Sequence, residues 1–174
     1  MTREEFISIL KRKRYSYLEE RNKIVVTGGN KHEDCIFPSL ETLPSGVKFK
    51  NNGGVSLNSL KTIPSGVVFD NNGNVDLNSL ETISPDTIFG NRIWGVYLES
   101  LKTISPGVEF KNQGGVFLNS LETISPGVVF KNRWRVRSNS LFDGFLDDWS
   151  GNIEGIGSNR LLNKMISDGL FDRR

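Results

Sequence analysis

Side chains able to do chemistry are few in this chain, and they do not converge. Its one histidine and one cysteine fall together in His32-Glu33-Asp34-Cys35, the only cluster of metal-ligand types. Four consecutive residues cannot readily surround a tetrahedral ion, so the segment reads as a variable loop rather than a metal site. Asp143, Asp147, Asp148, Asn152 and Glu154 crowd a glycine-containing stretch and offer the oxygen ligands that calcium takes. Their spacing is not that of an EF-hand, and a solvated connector is the simpler reading. There is neither a phosphate-cradling glycine loop nor a G-x-S-x-G nucleophile elbow. The expectation is a chain with no catalytic residues, no metal and no cofactor: not an enzyme.

Two other groups of residues suit binding. Lys11-Arg12-Lys13-Arg14, followed by Tyr15 and Tyr17, joins basic charge to aromatic rings, the pairing that meets phosphates and bases. Glu4, Glu5, Glu19 and Glu20 dilute the run, so a solvated helix face is the first reading and nucleic-acid binding, here and along Lys131–Arg137, the alternative. The second group is Arg92, Trp94, Tyr97, Phe117, Arg133, Trp134, Arg135 and Arg137. Aromatics beside arginine are the composition of protein-interface hot spots, and these residues are the expected partner-binding surface. Two structural readings compete with it. Trp134 can pack beneath Phe142, Phe145, Leu146 and Trp149, and Tyr97 and Phe117 can stack on each other or support a homodimer.

What positions these residues is a cassette of about twenty residues written five times, beginning at Leu40, Leu60, Leu80, Leu101 and Leu121. It reads approximately L-[E/K]-T-[I/L]-[P/S]-[S/P]-G-V-x-F-x-N-x-G-x-V-x-L-N-S, with one extra residue in the third copy, within Arg92-Ile93-Trp94-Gly95. A fixed period of this length means that each copy is a unit stacked on the next. Within a copy, Val67-Val68-Phe69 and Val75-Asp76-Leu77 alternate with period two, as half-buried strands do. Asn71-Asn72-Gly73 between them and the corner ending at Gly66 carry residue types that accept left-handed backbone angles. Asp86 stands at that corner in the third copy.

Stacking in register predicts columns. Phe49, Phe69, Phe89, Phe110 and Phe130 form one, and Leu40, Leu60, Leu80, Leu101, Leu121 and Leu141 another, both facing inward. Asn51, Asn71, Asn91, Asn112 and Asn132 are expected to form an amide ladder bonded from copy to copy. Glu41, Lys61, Glu81, Lys102 and Glu122 alternate in sign, so neighbours attract. The file Thr42, Thr62, Thr82, Thr103, Thr123 is expected to bond within its corner rather than to form an ice-binding array. The outward positions of the second strand do not repeat: Ser56, Asp76, Tyr97, Phe117, Arg137.

A degenerate earlier coil aligns Ile24 and Val26 with Val67 and Phe69, and Cys35 and Phe37 with Val75 and Leu77, so Cys35 should point inward. Residues 3–20 read as one helix, and 158–168 as another capped by Ser158, covering the ends that a stacked sheet would otherwise expose. The expected organisation is one cooperative domain: an N-terminal helical cap over 1–23, a β-solenoid over 24–141 with two short strands per coil, and a connector with a helical cap over 142–174. A net charge of +2 gives no global pull toward nucleic acid. One cysteine, and no apolar stretch that could be a secretory signal or membrane span, give the expectation of a cytoplasmic protein.

In leucine content and period the chain resembles leucine-rich repeats, but their L-x-x-L-x-L-x-x-N signature is not met. The repeat L-x-T-I-P-x-G-V-x-F-x-N-x-G-x-V-x-L, with the closing segment 155–166, is similar to that of uncharacterised repeat proteins common in bacteriophages. The matched positions are scaffold positions. The resemblance implies a β-solenoid and a viral source in the host cytoplasm, and it transfers no active site. The role it suggests is inhibition of a host defence system such as a CRISPR effector, by a rigid body that occludes without chemistry of its own.

Overall fold

A computed structural model describes residues 1–29, 33–125, 127–134 and 136–138. The five repeats wind as coils of a mainly β solenoid, each laid on the one before, beginning on a partial first coil. Two sides run the length of the stack, and a third is paired in part of it. The first is a sheet of six parallel strands: β2 (Lys23–Val26), then Val47–Phe49, Val68–Phe69, Ile88–Phe89, Glu109–Phe110 and Val129–Phe130. The second begins with β3 (Cys35–Ile36) and continues through Val55–Ser56, Val75–Asp76, Val96–Tyr97, Val116–Phe117 and Val136–Arg137. Register is preserved throughout, with Phe69 paired to Phe49 and Phe89, and Val96 to Val75 and Val116.

The third side is a strand that the sequence did not show. Thr62–Ile63 pairs with Thr82–Ile83, and Thr103–Ile104 with Thr123–Ile124, so two strands per coil become three in the second to fifth repeats. The threonines are therefore ladder residues with exposed side chains rather than corner caps, while Ile63, Ile83 and Ile104 turn inward. The alternating charges lie beside them. Lys61 meets Glu81 at 3.0 Å and Lys102 meets Glu122 at 3.2 Å, within the same two pairs of coils that the third ladder joins.

The core is built of the expected columns. Phe49, Phe69, Phe89, Phe110 and Phe130 stack with centroids 5.4, 5.2, 5.0 and 4.8 Å apart and planes within 6° of parallel. Leu40 to Leu121 are buried beside them, and Leu141 lies outside the described residues. Thr87 replaces valine in one inward file and remains fully buried, because its hydroxyl donates to the Ser84 carbonyl at 2.9 Å.

The asparagines depart from the expected ladder. Asn71 Nδ2 donates to the backbone carbonyls of Gly73 at 3.0 Å in its own turn and Gly53 at 3.1 Å in the turn before. Asn51 does the same toward Gly54 and Glu33. Buried amides thus satisfy carbonyls that a tight turn leaves without strand partners, instead of bonding to one another.

Glycines serve the two corners for different reasons. Gly46, Gly66, Gly107 and Gly127 have φ between 70° and 83°, and Asp86 takes the same left-handed geometry at φ 60°. In the Asn-Gly turn the glycines have no positive φ. A Cβ on Gly73 would fall 2.4 Å from the nitrogen of Gly54, and one on Gly114 would fall 2.3 Å from the carbonyl of Trp94. Close approach of successive turns, not backbone angle, excludes other residues there.

The N-terminal cover is shorter than the predicted helix. α1 (Arg3–Lys13) begins in a capping box, with Thr2 Oγ1 accepting from the Glu5 backbone and Glu5 Oε2 accepting from the Thr2 backbone. Arg14 ends it in a left-handed cap, and β1 (Tyr17–Glu20) then runs antiparallel to β2. Phe6 and Leu10 are fully buried against the first coil, where Phe6 lies 5.8 Å from Phe37. Leu18, expected on the helix, is instead exposed on β1. The second expected helix, over 158–168, lies outside the described residues.

Candidate interaction face on the second sheet

The inward residues of the second sheet repeat and its outward residues do not, so this face is where the coils differ. In register from the N-terminal end it presents Ile36, Ser56, Asp76, Tyr97, Phe117 and Arg137. Tyr97 and Phe117 stack with centroids 4.6 Å apart and planes 1° from parallel, forming a ridge. Both rings lean toward Gly95, where a Cβ would approach Phe117 Cε2 to 3.1 Å. The extra residue of the third copy throws Ile93 and Trp94 outward, each 60% exposed, at the edge of this ridge. Trp134 is 63% exposed, Arg133 and Arg137 are also exposed, and Arg135 lies outside the described residues.

Arg92 is not gathered into this group. Its Nε lies 3.8 Å from Asp70, whose carboxylate is also held by Lys48 of the first sheet at 2.9 Å. Its charge is directed to the neighbouring side of the solenoid.

N-terminal to the ridge the same face is hollow. An open groove of about 440 Å³ is bounded by Asp34 and Ile36 on one side and by Asp76, Ile93 and Trp94 on the other. Gly54, which has no side chain, and Ser56, which has a small one, line it and leave the space. Asp34 Oδ1 accepts from the Gly54 backbone at 2.6 Å, which fixes that carboxylate at the rim. Asp76 is half-buried, and burial first, then the nearby charge of Asp34, raises its carboxyl above the ordinary aspartate range. Neither the groove nor the part of Ile36, Ile93, Asp34 and Asp76 in it was anticipated from the sequence. The available signal was the single small residue, Ser56, between Ile36 and Asp76 in the outward file, beside the Gly53-Gly54 turn.

The other predicted sites resolve differently. Cys35 is fully buried, and burial, followed by Asp34 and Glu33, pushes its thiol up to about 12, so it is no nucleophile at neutral pH. His32 lies outside the described residues, and among those described no three His, Cys, Asp or Glu side chains are placed to hold a metal. In the basic run, Lys11, Arg12 and Lys13 occupy the last turn of α1, where cations complement the helix dipole. Tyr15 is buried, its hydroxyl accepting from the Ile36 backbone at 3.1 Å, so its ring is closed to base stacking. Lys13 Nζ sits 5.7 Å from that ring. No helix among the described residues is long and apolar enough to cross a membrane.

Comparison with known proteins found no matching family model, no matching curated protein and no matching solved structure. The solenoid architecture therefore stands on the repeat and on the observed register of its coils.

Proposed function

We propose that this chain is a non-enzymatic protein-binding module that docks a partner on the outer face of its second sheet. The observation that carries this reading is the exposure of Trp94 beside the stacked Tyr97–Phe117 ridge, on a face whose residues change from coil to coil while the core repeats. Large rings fixed on short strands give up little entropy on binding, and arginine at the end of the file adds directional polar contacts. The biological role we propose is inhibition of a host defence effector such as a CRISPR nuclease, by occlusion. It is supported by the resemblance of the repeat to phage proteins and by a rigid body that needs no chemistry of its own.

Affinity capture from host lysate tests the face, comparing wild type with the Trp94→Ala/Phe117→Ala variant and then titrating the captured protein in purified form. Loss of two hot-spot rings should weaken binding by at least about 30-fold. Equal affinity of the two forms removes the face from consideration. Inhibition of a purified CRISPR effector at stoichiometric amounts, lost in the same variant, tests the role. Salt separates a protein partner from nucleic acid: phosphate-driven binding falls about 10³–10⁵-fold between 50 and 200 mM salt when six or more phosphates are contacted.

A further inference from the structure

The two halves of the face have opposite character. The N-terminal half is hollow and acidic, lined by Asp34, Asp76, Gly54 and Ser56. The C-terminal half is raised and basic, with Tyr97 and Phe117 standing as a ridge that ends at Arg137. Successive coils are roughly 4.8 Å apart, so the file from Ile36 to Arg137 spans about 24 Å over its five steps. A surface whose hollow and ridge have matching spacing and opposite charge is complementary to itself turned end for end.

We propose that two copies of this chain associate face to face through their second sheets, about a twofold axis that runs parallel to the strands between the Asp76 and Tyr97 positions. This operation reverses the order of the coils and keeps the strand direction. It sets Phe117 of the second copy over Ser56, Tyr97 of the second copy over Asp76, and Arg137 of the second copy over Ile36. Each pairing has a physical content. The Phe117 ring fills the notch that Gly54 and Ser56 leave. The Tyr97 hydroxyl donates to the Asp76 carboxylate, which stands half-buried in the lining of the groove. The Arg137 stem packs on exposed Ile36. The axis along the stack would instead place Asp76 on Asp76 and Arg137 on Arg137, and like charges exclude it.

The inference rests on the reading of this face as protein-binding and names a second copy as its occupant. The file is about 24 Å long and its strands are two residues each, so the contact is narrow, below the standard size of specific interfaces, and association no tighter than the micromolar range is expected.

Sedimentation equilibrium across about 1–500 μM, on the full chain, tests this with two single variants, Ile36→Arg and Arg137→Glu. The wild type should show a concentration-dependent dimer. Each variant alone sets like charges opposite each other at both ends of the interface and should dimerise at least about tenfold more weakly. An equimolar mixture restores one opposite-charge pair and one native pair, and should dimerise like the wild type. That rescue depends on the end-for-end register, so neither misfolding nor a different interface produces it. If either variant lacks the wild-type circular dichroism, Ser56→Trp, which fills the notch, takes its place and should be monomeric. A wild type that stays monomeric, variants that dimerise as the wild type does, or a mixture that stays monomeric overturns the proposal. A monomer that still loses a captured partner through Trp94→Ala/Phe117→Ala would end the dimer and leave the broader function standing. Dimer rescue without any effect of that variant on partner capture would do the reverse.

Discussion

Along the second sheet, Val55, Val75, Val96, Val116 and Val136 face inward while Ser56, Asp76, Tyr97, Phe117 and Arg137, each the next residue in the chain, face outward. The two columns lie on the same strands and differ in what surrounds them. An inward residue meets the same packing above and below in every coil, so its identity is set by shape. An outward residue meets only its two neighbours and whatever arrives from outside, so the fold leaves its identity free. The contrast teaches that in a stacked coil the repeat records the scaffold, and departures from the repeat record the use.

Substitutions can break that contrast, beginning with the inner column. Phe89→Ala removes a ring stacked between two others at 5.2 and 5.0 Å and should cost about 3–5 kcal/mol, read from urea unfolding. If Phe117→Ala on the outer column costs as much, the division between scaffold and use is wrong.

The next effect sharpens the role of the turns. Gly73→Ala should cost about 1–3 kcal/mol, because a Cβ 2.4 Å from the preceding turn forces the coils apart. At the other corner, Gly66→Ala should cost about 1–2 kcal/mol through its φ of 72° alone, and Gly66→Asp should recover part of this, as Asp86 does at φ 60°. Gly73→Asp should recover nothing. Thermal melts of the four variants decide whether the two corners exclude side chains for different reasons.

Smaller again is Phe117→Ala in the monomer, about 0.5–1.5 kcal/mol for the lost stack on Tyr97, while its effect on partner binding should be far larger. The last effect is one of sign. Burial raises the carboxyl of Asp76 in the folded chain, so the native state holds that proton more tightly than the unfolded one. The resulting stabilisation is complete below the unfolded value, near pH 3.9, and is lost as pH rises through the raised folded value. Asp76→Asn should therefore raise the melting temperature of dilute, monomeric protein at pH 7, and the gain should disappear by about pH 3. A gain that persists at pH 3 would show that charge is not its cause.

The inner columns were legible because five copies can be compared within one chain, and each column is a letter that recurs. Cys35 pointing inward and Asp86 at a left-handed corner followed from the same register. What could not be read depended on contacts between distant segments. The early end of α1 follows from Tyr15, whose hydroxyl bonds the backbone of Ile36 and draws the chain out of helix. The third strand is two residues long, too short for alternation to be visible. Arg92 belongs to Asp70 through a coil-to-coil contact that no local spacing reveals. The groove is made by small residues, and a pattern search that looks for chemistry passes over glycine and serine.

The antiparallel strand β1 at the N-terminal edge gives the stack a polarity that its repeats lack. Every later coil lays its first-sheet strand parallel to the one before, a rule that could in principle continue from one molecule into the next. β1 runs the other way and carries Glu19 and Glu20 on its exposed edge. An incoming coil of this chain would meet mismatched hydrogen-bond spacing and a row of carboxylates there, so end-to-end growth into a fibre is blocked at this edge by strand direction and charge together.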